Sequence, residues 1–111
     1  MPVPLNEAKA ELFRVLANPV RIRILELLSQ RDHAVHEMLG AIAIERSALS
    51  QQLGVLRRAG IVRQQRTGGE VVYSLLAPGI ADMLAGARAT LAAQLADQAQ
   101  LHAALEQEGA S

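Results

Sequence analysis

Polar side chains recur along the segment 45–59 at a spacing that places them on one side of a helix. Three leucines would form the apolar stripe of this helix: Leu49, Leu53 and Leu56. At about 100° per residue, the residues on the other side are Ser47, Gln51 and Arg58, with Ser50 and Gly54 beside them. A glutamine can form a bidentate pair of hydrogen bonds with adenine, and small side chains let the helix backbone come close to the DNA. The pattern predicts a helix that reads base edges in the major groove of DNA.

Arginines concentrate around this segment, although the formal net charge of the chain is zero. Between Glu45 and Glu70 the basic residues are Arg46, Arg57, Arg58, Arg63 and Arg66. After Leu75 the only basic residue is Arg88, and it is accompanied by four acidic residues: Asp82, Asp97, Glu106 and Glu108. This distribution predicts that the basic middle of the chain binds DNA phosphates and that the acidic C-terminal segment has a different role.

A second group of side chains has the chemistry of a metal site. His33 and His36 are three residues apart, so on a helix they would share one face, and Asp32 and Glu37 adjoin them. Imidazole with carboxylate suits nickel, cobalt or zinc. The alternative interpretation is a set of ordinary polar residues at the start of a helix.

The C-terminal segment offers a reserve pair, His102 and Glu106, at a spacing of i,i+4. Here the alternative is a solvated helix end. The chain has no cysteine, so a divalent transition metal such as nickel or zinc would be bound through nitrogen and oxygen ligands. The sequence leaves open whether any metal or other effector is bound.

The segment 45–59 is expected to be one of about five helices. The others are predicted at about 4–17, from Pro19 after an Asn18 cap, at 34–41 and at 78–107, with a loop at 30–33. On the second of these helices, Arg21 and Arg23 are expected to point toward water. Two β-prone runs flank Gly68 and Gly69, which predicts a hairpin over 61–76. The predicted fold is mainly α with a small β-hairpin, a winged helix-turn-helix with a two-stranded wing.

Three segments of the sequence resemble the ArsR/SmtB family of regulators. The run LSQQLGVLRRAGIV at 49–62 is similar to the recognition-helix signature of the family, and ANPVRIRIL at 17–25 is similar to its second-helix signature. The run VVYSL at 71–75 resembles the end of its wing. The three segments occur in order and at the expected spacing.

The resemblance implies a homodimer joined through its terminal helices, at about 4–17 and 78–107, that binds an inverted repeat near a promoter. It also implies that Ser47, Ser50 and Gln51 read bases. The chain departs from the metal-sensing patterns of the family. Ala34 and His36 stand where one pattern has paired cysteines, and Leu84 and Leu95 stand where another has histidines, with Asp82 the one matching residue.

Two functions from different classes remain open at this stage. The first is a DNA-binding transcriptional regulator made of one domain over 1–111, which would bind double-stranded DNA. The second is a winged-helix module for protein interaction that lacks specific DNA binding, which the zero net charge favours. No catalytic set supports an enzyme, since the chain has no cysteine nucleophile and no phosphate-binding glycine loop. With no apolar run of membrane-spanning length and no signal-peptide pattern, a cytoplasmic location is expected.

Overall fold

The computed structural model describes residues 2–110 and confirms a mainly helical winged helix-turn-helix. Its elements are α1 (Leu5–Leu16), α2 (Pro19–Gln30), β1 (His33–Ala34), α3 (Val35–Ala41), α4 (Arg46–Arg58), β2 (Val62–Thr67), β3 (Glu70–Leu75) and α5 (Gly79–Ala110). Residues up to 81 form one compact unit, and residues from 82 onward form another. The predicted extent of a single domain, 1–111, stays a prediction.

The start of α2 is fixed by the predicted Asn18-Pro19 cap. The Oδ1 atom of Asn18 accepts hydrogen bonds from the backbone N–H groups of Val20, at 2.9 Å, and Arg21, at 3.1 Å. Pro19 occupies the first helical position, where its missing N–H is not needed. This cap sets the point at which the chain turns from α1 into α2.

Aliphatic side chains form the core of the first unit. Its largest fully buried members are Ile24, Leu25, Met38, Leu49, Leu53, Leu56 and Val62. They come from α2, α3, α4 and β2, so these four elements enclose one interior. The three leucines of α4 are 0%, 1% and 0% exposed, which agrees with the predicted apolar stripe.

The hairpin forms as predicted, but the sheet has three strands rather than two. β2 pairs antiparallel with β3, and the chain reverses at Gly68 and Gly69, whose φ angles are 59° and 86°. Positive φ angles favour glycine, as a tight hairpin turn requires. β1 pairs with the other edge of β3, which places His33 opposite Tyr73.

The predicted loop at 30–33 is therefore shorter than expected, and the third helix begins at Val35, one residue after its predicted start at about Ala34. Gln30 is the last residue of α2, so the connection between α2 and β1 consists of Arg31 and Asp32. His33 and Ala34 are strand residues, because pairing with β3 satisfies their backbone groups.

The second unit consists of α5 residues from 82 onward. Its four exposed large apolar side chains are Leu91, Leu95, Leu101 and Leu105. The helix has 32 residues and is about 48 Å long at 1.5 Å per residue. Within residues 2–110, no helix has both the length and the apolar character needed to cross a membrane.

We expect Asn18→Ala to lower the free energy of unfolding by about 1 kcal/mol, because two N–H groups at the start of α2 lose their acceptor. Chemical denaturation followed by circular dichroism measures the change. Asn18→Asp is the matched control, since its carboxylate keeps an acceptor at the same place and should retain stability. Equal destabilisation by both substitutions would contradict the capping role.

Candidate nucleic-acid interface

The outer face of α4 consists of exposed polar residues. Ser47, Ser50 and Gln51 are all exposed, whereas the leucine stripe on the other side of the helix is buried. Buried leucines fix the rotation of the helix about its axis, so the three polar side chains face away from the core. Serine and glutamine provide both donors and acceptors, as contacts with base edges require.

All five arginines predicted to hold phosphates are exposed: Arg46, Arg57, Arg58, Arg63 and Arg66. Among the described residues, none of these five takes part in an ion pair. Arg46 begins α4, while Arg57 and Arg58 lie in its last turn. A helix flanked by unpaired guanidinium groups has the charge distribution that a duplex with two phosphate backbones would attract.

Arg58 folds back along α4 over Gly54. A Cβ atom built on Gly54 would lie 3.0 Å from Nη1 of Arg58, so the missing side chain makes room for the guanidinium. An open cavity of about 490 Å³ runs along this part of the helix. Its lining residues are Ser50, Gln51, Gln52, Gly54, Val55, Arg57 and Arg58. The arrangement brings a positive charge beside the polar face of α4.

The wing carries its two arginines on opposite faces. Arg63 pairs with Ser74 and Arg66 with Val71 in the register of the hairpin. Since side chains alternate along a strand, residues three apart point to opposite sides. The hydroxyl of Tyr73 donates to Oε1 of Gln64 at 2.9 Å, which joins the two strands through their side chains. The two guanidinium groups therefore reach different regions of space.

The structure does not bring His33 and His36 onto one face of a helix, because His33 belongs to β1. His33 is 4% exposed, and its Nδ1 lies 2.8 Å from the carbonyl oxygen of Arg31. A carbonyl can only accept, so Nδ1 carries the proton. His36 is exposed on α3, and its Nδ1 lies 3.4 Å from Oε1 of Glu70 at the start of β3.

The carboxylate of Glu37 is already engaged in holding the start of α3. Its Oε1 accepts from the backbone N–H of Ala34 at 2.9 Å, and its Oε2 lies 2.9 Å from Nη1 of Arg31. The backbone hydrogen bond and the Arg31 guanidinium hold the pKa of Glu37 below its ordinary value. Asp32, the other predicted carboxylate, is exposed between α2 and β1.

The reserve pair on α5 does come together, with Nε2 of His102 3.7 Å from Oε1 of Glu106. In the part of the chain that the structure describes, no group of three or more histidine or carboxylate side chains could hold a metal ion. Binding of nickel or zinc by His33, His36, Asp32, Glu37, His102 or Glu106 stays a prediction.

One contact at the interface was missed by sequence reasoning. Arg21 does not point into water as predicted, because its Nε donates to Oε1 of Gln52 at 2.8 Å. Its Nη1 also donates to the carbonyl oxygen of Val15 at 3.0 Å. The partners lie on α1 and α4, so no local pattern in the sequence reveals them. Only Arg23, on the same helix, is exposed as predicted.

Residues 18–64 match the family model described as "Bacterial regulatory protein, arsR family". The uncharacterized HTH-type transcriptional regulator Rv0081 of Mycobacterium tuberculosis is 55% identical over 96 residues, which cover 86% of this chain and 84% of that protein. The transcriptional repressor SmtB of the same species is 40% identical over 74 residues, covering 67% of this chain and 55% of the repressor.

Solved structures extend the similarity to the fold. The crystal structure of Rv0081 has a TM-score of 0.78 at 54% identity and covers 88% of this chain and 99% of that one. The solution structure of a homodimeric winged helix-turn-helix domain, Mb0332 from Mycobacterium bovis, has a TM-score of 0.72 at 27% identity. The match covers 82% of this chain and 84% of that domain. With signature, sequence and fold in agreement, the chain belongs to the ArsR family of bacterial regulatory proteins and is a transcriptional regulator with a winged helix-turn-helix DNA-binding domain.

Proposed function

We propose that the protein acts as a homodimer that reads an inverted-repeat operator through α4 and the β2–β3 wing. It would act in the cytoplasm and by binding DNA, not by catalysis. The observation that carries the proposal is the division of α4 into a buried leucine face and an exposed polar face flanked by arginines. A helix of this kind fits the major groove, where each base pair presents a distinct set of donors and acceptors.

Within this proposal, Ser47, Ser50 and Gln51 carry sequence information. Their side chains are exposed, and a glutamine at this point can pair with the N6 and N7 atoms of adenine. The serines are small enough to let the helix backbone sit deep in the groove. The five arginines carry affinity instead, because contacts with phosphates are the same for every sequence.

Exposed apolar side chains support the dimer. On α1, Phe13 is 59% exposed and Leu5 is 70% exposed. On α5, taken by itself, Leu91 and Leu95 are 59% and 65% exposed and lie about 40° apart around the helix. Apolar side chains that cluster on an exposed face mark protein–protein interaction sites. A two-fold dimer presents two copies of α4, which matches an inverted repeat.

The test of the function is binding to promoter DNA across a range of salt concentrations. A duplex from the promoter of its own gene and a scrambled duplex are titrated with the protein, and fluorescence anisotropy follows binding. The proposal expects preference for the promoter duplex and an affinity that falls steeply with salt. A protein-interaction module, which the zero net charge would favour, predicts weak binding without preference.

We expect Gln51→Ala to weaken binding to the promoter site by roughly 1–3 kcal/mol, because a paired contact with a base is lost. Binding to the scrambled duplex should change little, and the fold should persist since Gln51 is exposed. Anisotropy titrations with both duplexes measure the difference. Gln30→Ala, at the exposed end of α2, is the control; unchanged specific affinity in Gln51→Ala would remove this residue from the reading face.

We expect Arg66→Ala to lower affinity for the promoter and scrambled duplexes by similar factors. A guanidinium on a phosphate carries no sequence information, and the slope of log affinity against log salt should fall by about one unit. The control is Arg23→Ala, whose guanidinium is exposed and already lies 3.8 Å from Glu26. A loss confined to the promoter duplex would mean that Arg66 reads bases.

We expect Leu95→Glu to shift the protein from dimer to monomer in sedimentation velocity, because a carboxylate would have to be buried in the apolar interface. Ala93→Glu is the matched control. It adds the same charge to an exposed position of α5 about 160° around the helix from Leu95. Dissociation by both substitutions, or by neither, would contradict an interface on the leucine face.

A further inference from the structure

The guanidinium of Arg21 joins three helices. Arg21 is the third residue of α2, and its backbone N–H donates to the Asn18 cap, while its Nη1 donates to the carbonyl oxygen of Val15 in the last turn of α1. That carbonyl is one of the four that a helix leaves without an internal partner. The Nε–H donates to Oε1 of Gln52 on α4. Because a guanidinium is planar and its donors point in fixed directions, the bond to Val15 constrains the direction of the bond to Gln52.

This contact determines which end of the Gln52 carboxamide faces outward. The oxygen accepts from Arg21, so the amide Nε2 occupies the other end of the group. No side-chain nitrogen or oxygen of the described residues is both buried and unpaired, and Nε2 has no bonded partner, so it is accessible to solvent. Gln52 also lines the open cavity beside Ser50 and Gln51.

We propose that Gln52 is a further DNA contact, which donates from Nε2 to a backbone phosphate, and that Arg21 is the residue that positions it. The inference rests on the proposed function of α4. Phosphate oxygens only accept hydrogen bonds, so a carboxamide helps when its NH₂ faces the backbone and hinders when its oxygen does. A free glutamine can turn either way. The Arg21 donor removes the unfavourable orientation before DNA arrives.

Gln52→Glu separates this role from a purely structural one. The carboxylate still accepts from Arg21, and the bond becomes an ion pair, so resistance to denaturant should be equal to or greater than that of the wild type. Binding to the promoter and scrambled duplexes should both fall by about tenfold or more, since a donor is replaced by a negative charge. The control Gln30→Glu adds the same charge at the end of α2 opposite Arg21.

Gln52→Met and Arg21→Lys test the positioning step. Gln52→Met should lower affinity for both duplexes by about tenfold without changing the salt slope, because no cation is lost. Arg21→Lys keeps the charge but not the fixed donors, so it should lower affinity in the wild-type background. In the Gln52→Met background it should have little further effect, since its action passes through Gln52.

Two results would overturn the inference. The first is a Gln52→Glu protein that binds both duplexes as tightly as the Gln30→Glu control does. The second is an effect of Arg21→Lys on affinity that is the same with and without Gln52, which would mean that Arg21 does not act through Gln52. Failure of the proposed function is distinguishable, because then the wild-type protein itself would show no salt-dependent preference for the promoter duplex.

Discussion

Burial of three leucines on α4 is the constraint on which the interface depends. Leu49, Leu53 and Leu56 are almost entirely removed from solvent, and each contributes roughly 1.5–3 kcal/mol of burial free energy. Rotating α4 by a quarter turn would expose them, at a cost comparable with the whole stability of a small domain. Burial of the leucines therefore sets the direction in which the polar face of α4 points, and polar contacts are not required for this.

Polar contacts orient individual side chains and helix ends within the fold that apolar packing stabilises. Asn18 caps the start of α2, Glu37 binds the backbone at the start of α3, and Arg21 links the first two helices to Gln52. Each of these side chains satisfies a backbone group at a helix end, where the helix itself supplies no partner. The helix ends near the interface are therefore held by specific bonds.

Patterns in the sequence predict those structural features that depend on residues close together in the chain. The spacing of leucines on α4, the Asn18-Pro19 cap and the glycine pair of the hairpin each depend on neighbouring residues, and the structure contains all three. The strand at His33 could not be predicted in this way, since its partner Tyr73 lies 40 positions along the chain. The expectation that His33 and His36 would share a face applied only to a helix, and His33 lies on a strand.

The position of β2 in the sheet has a consequence for the protein when it is away from DNA. In the order β1-β3-β2, β2 is an edge strand, so one row of its backbone groups has no neighbouring strand. Such an edge is a template onto which a strand of another molecule can add, and charged side chains on it oppose that association. Arg63 and Arg66 project from its two faces, so strand addition would bring like charges together. The residues proposed to hold phosphates would therefore also oppose the addition of a strand from another molecule.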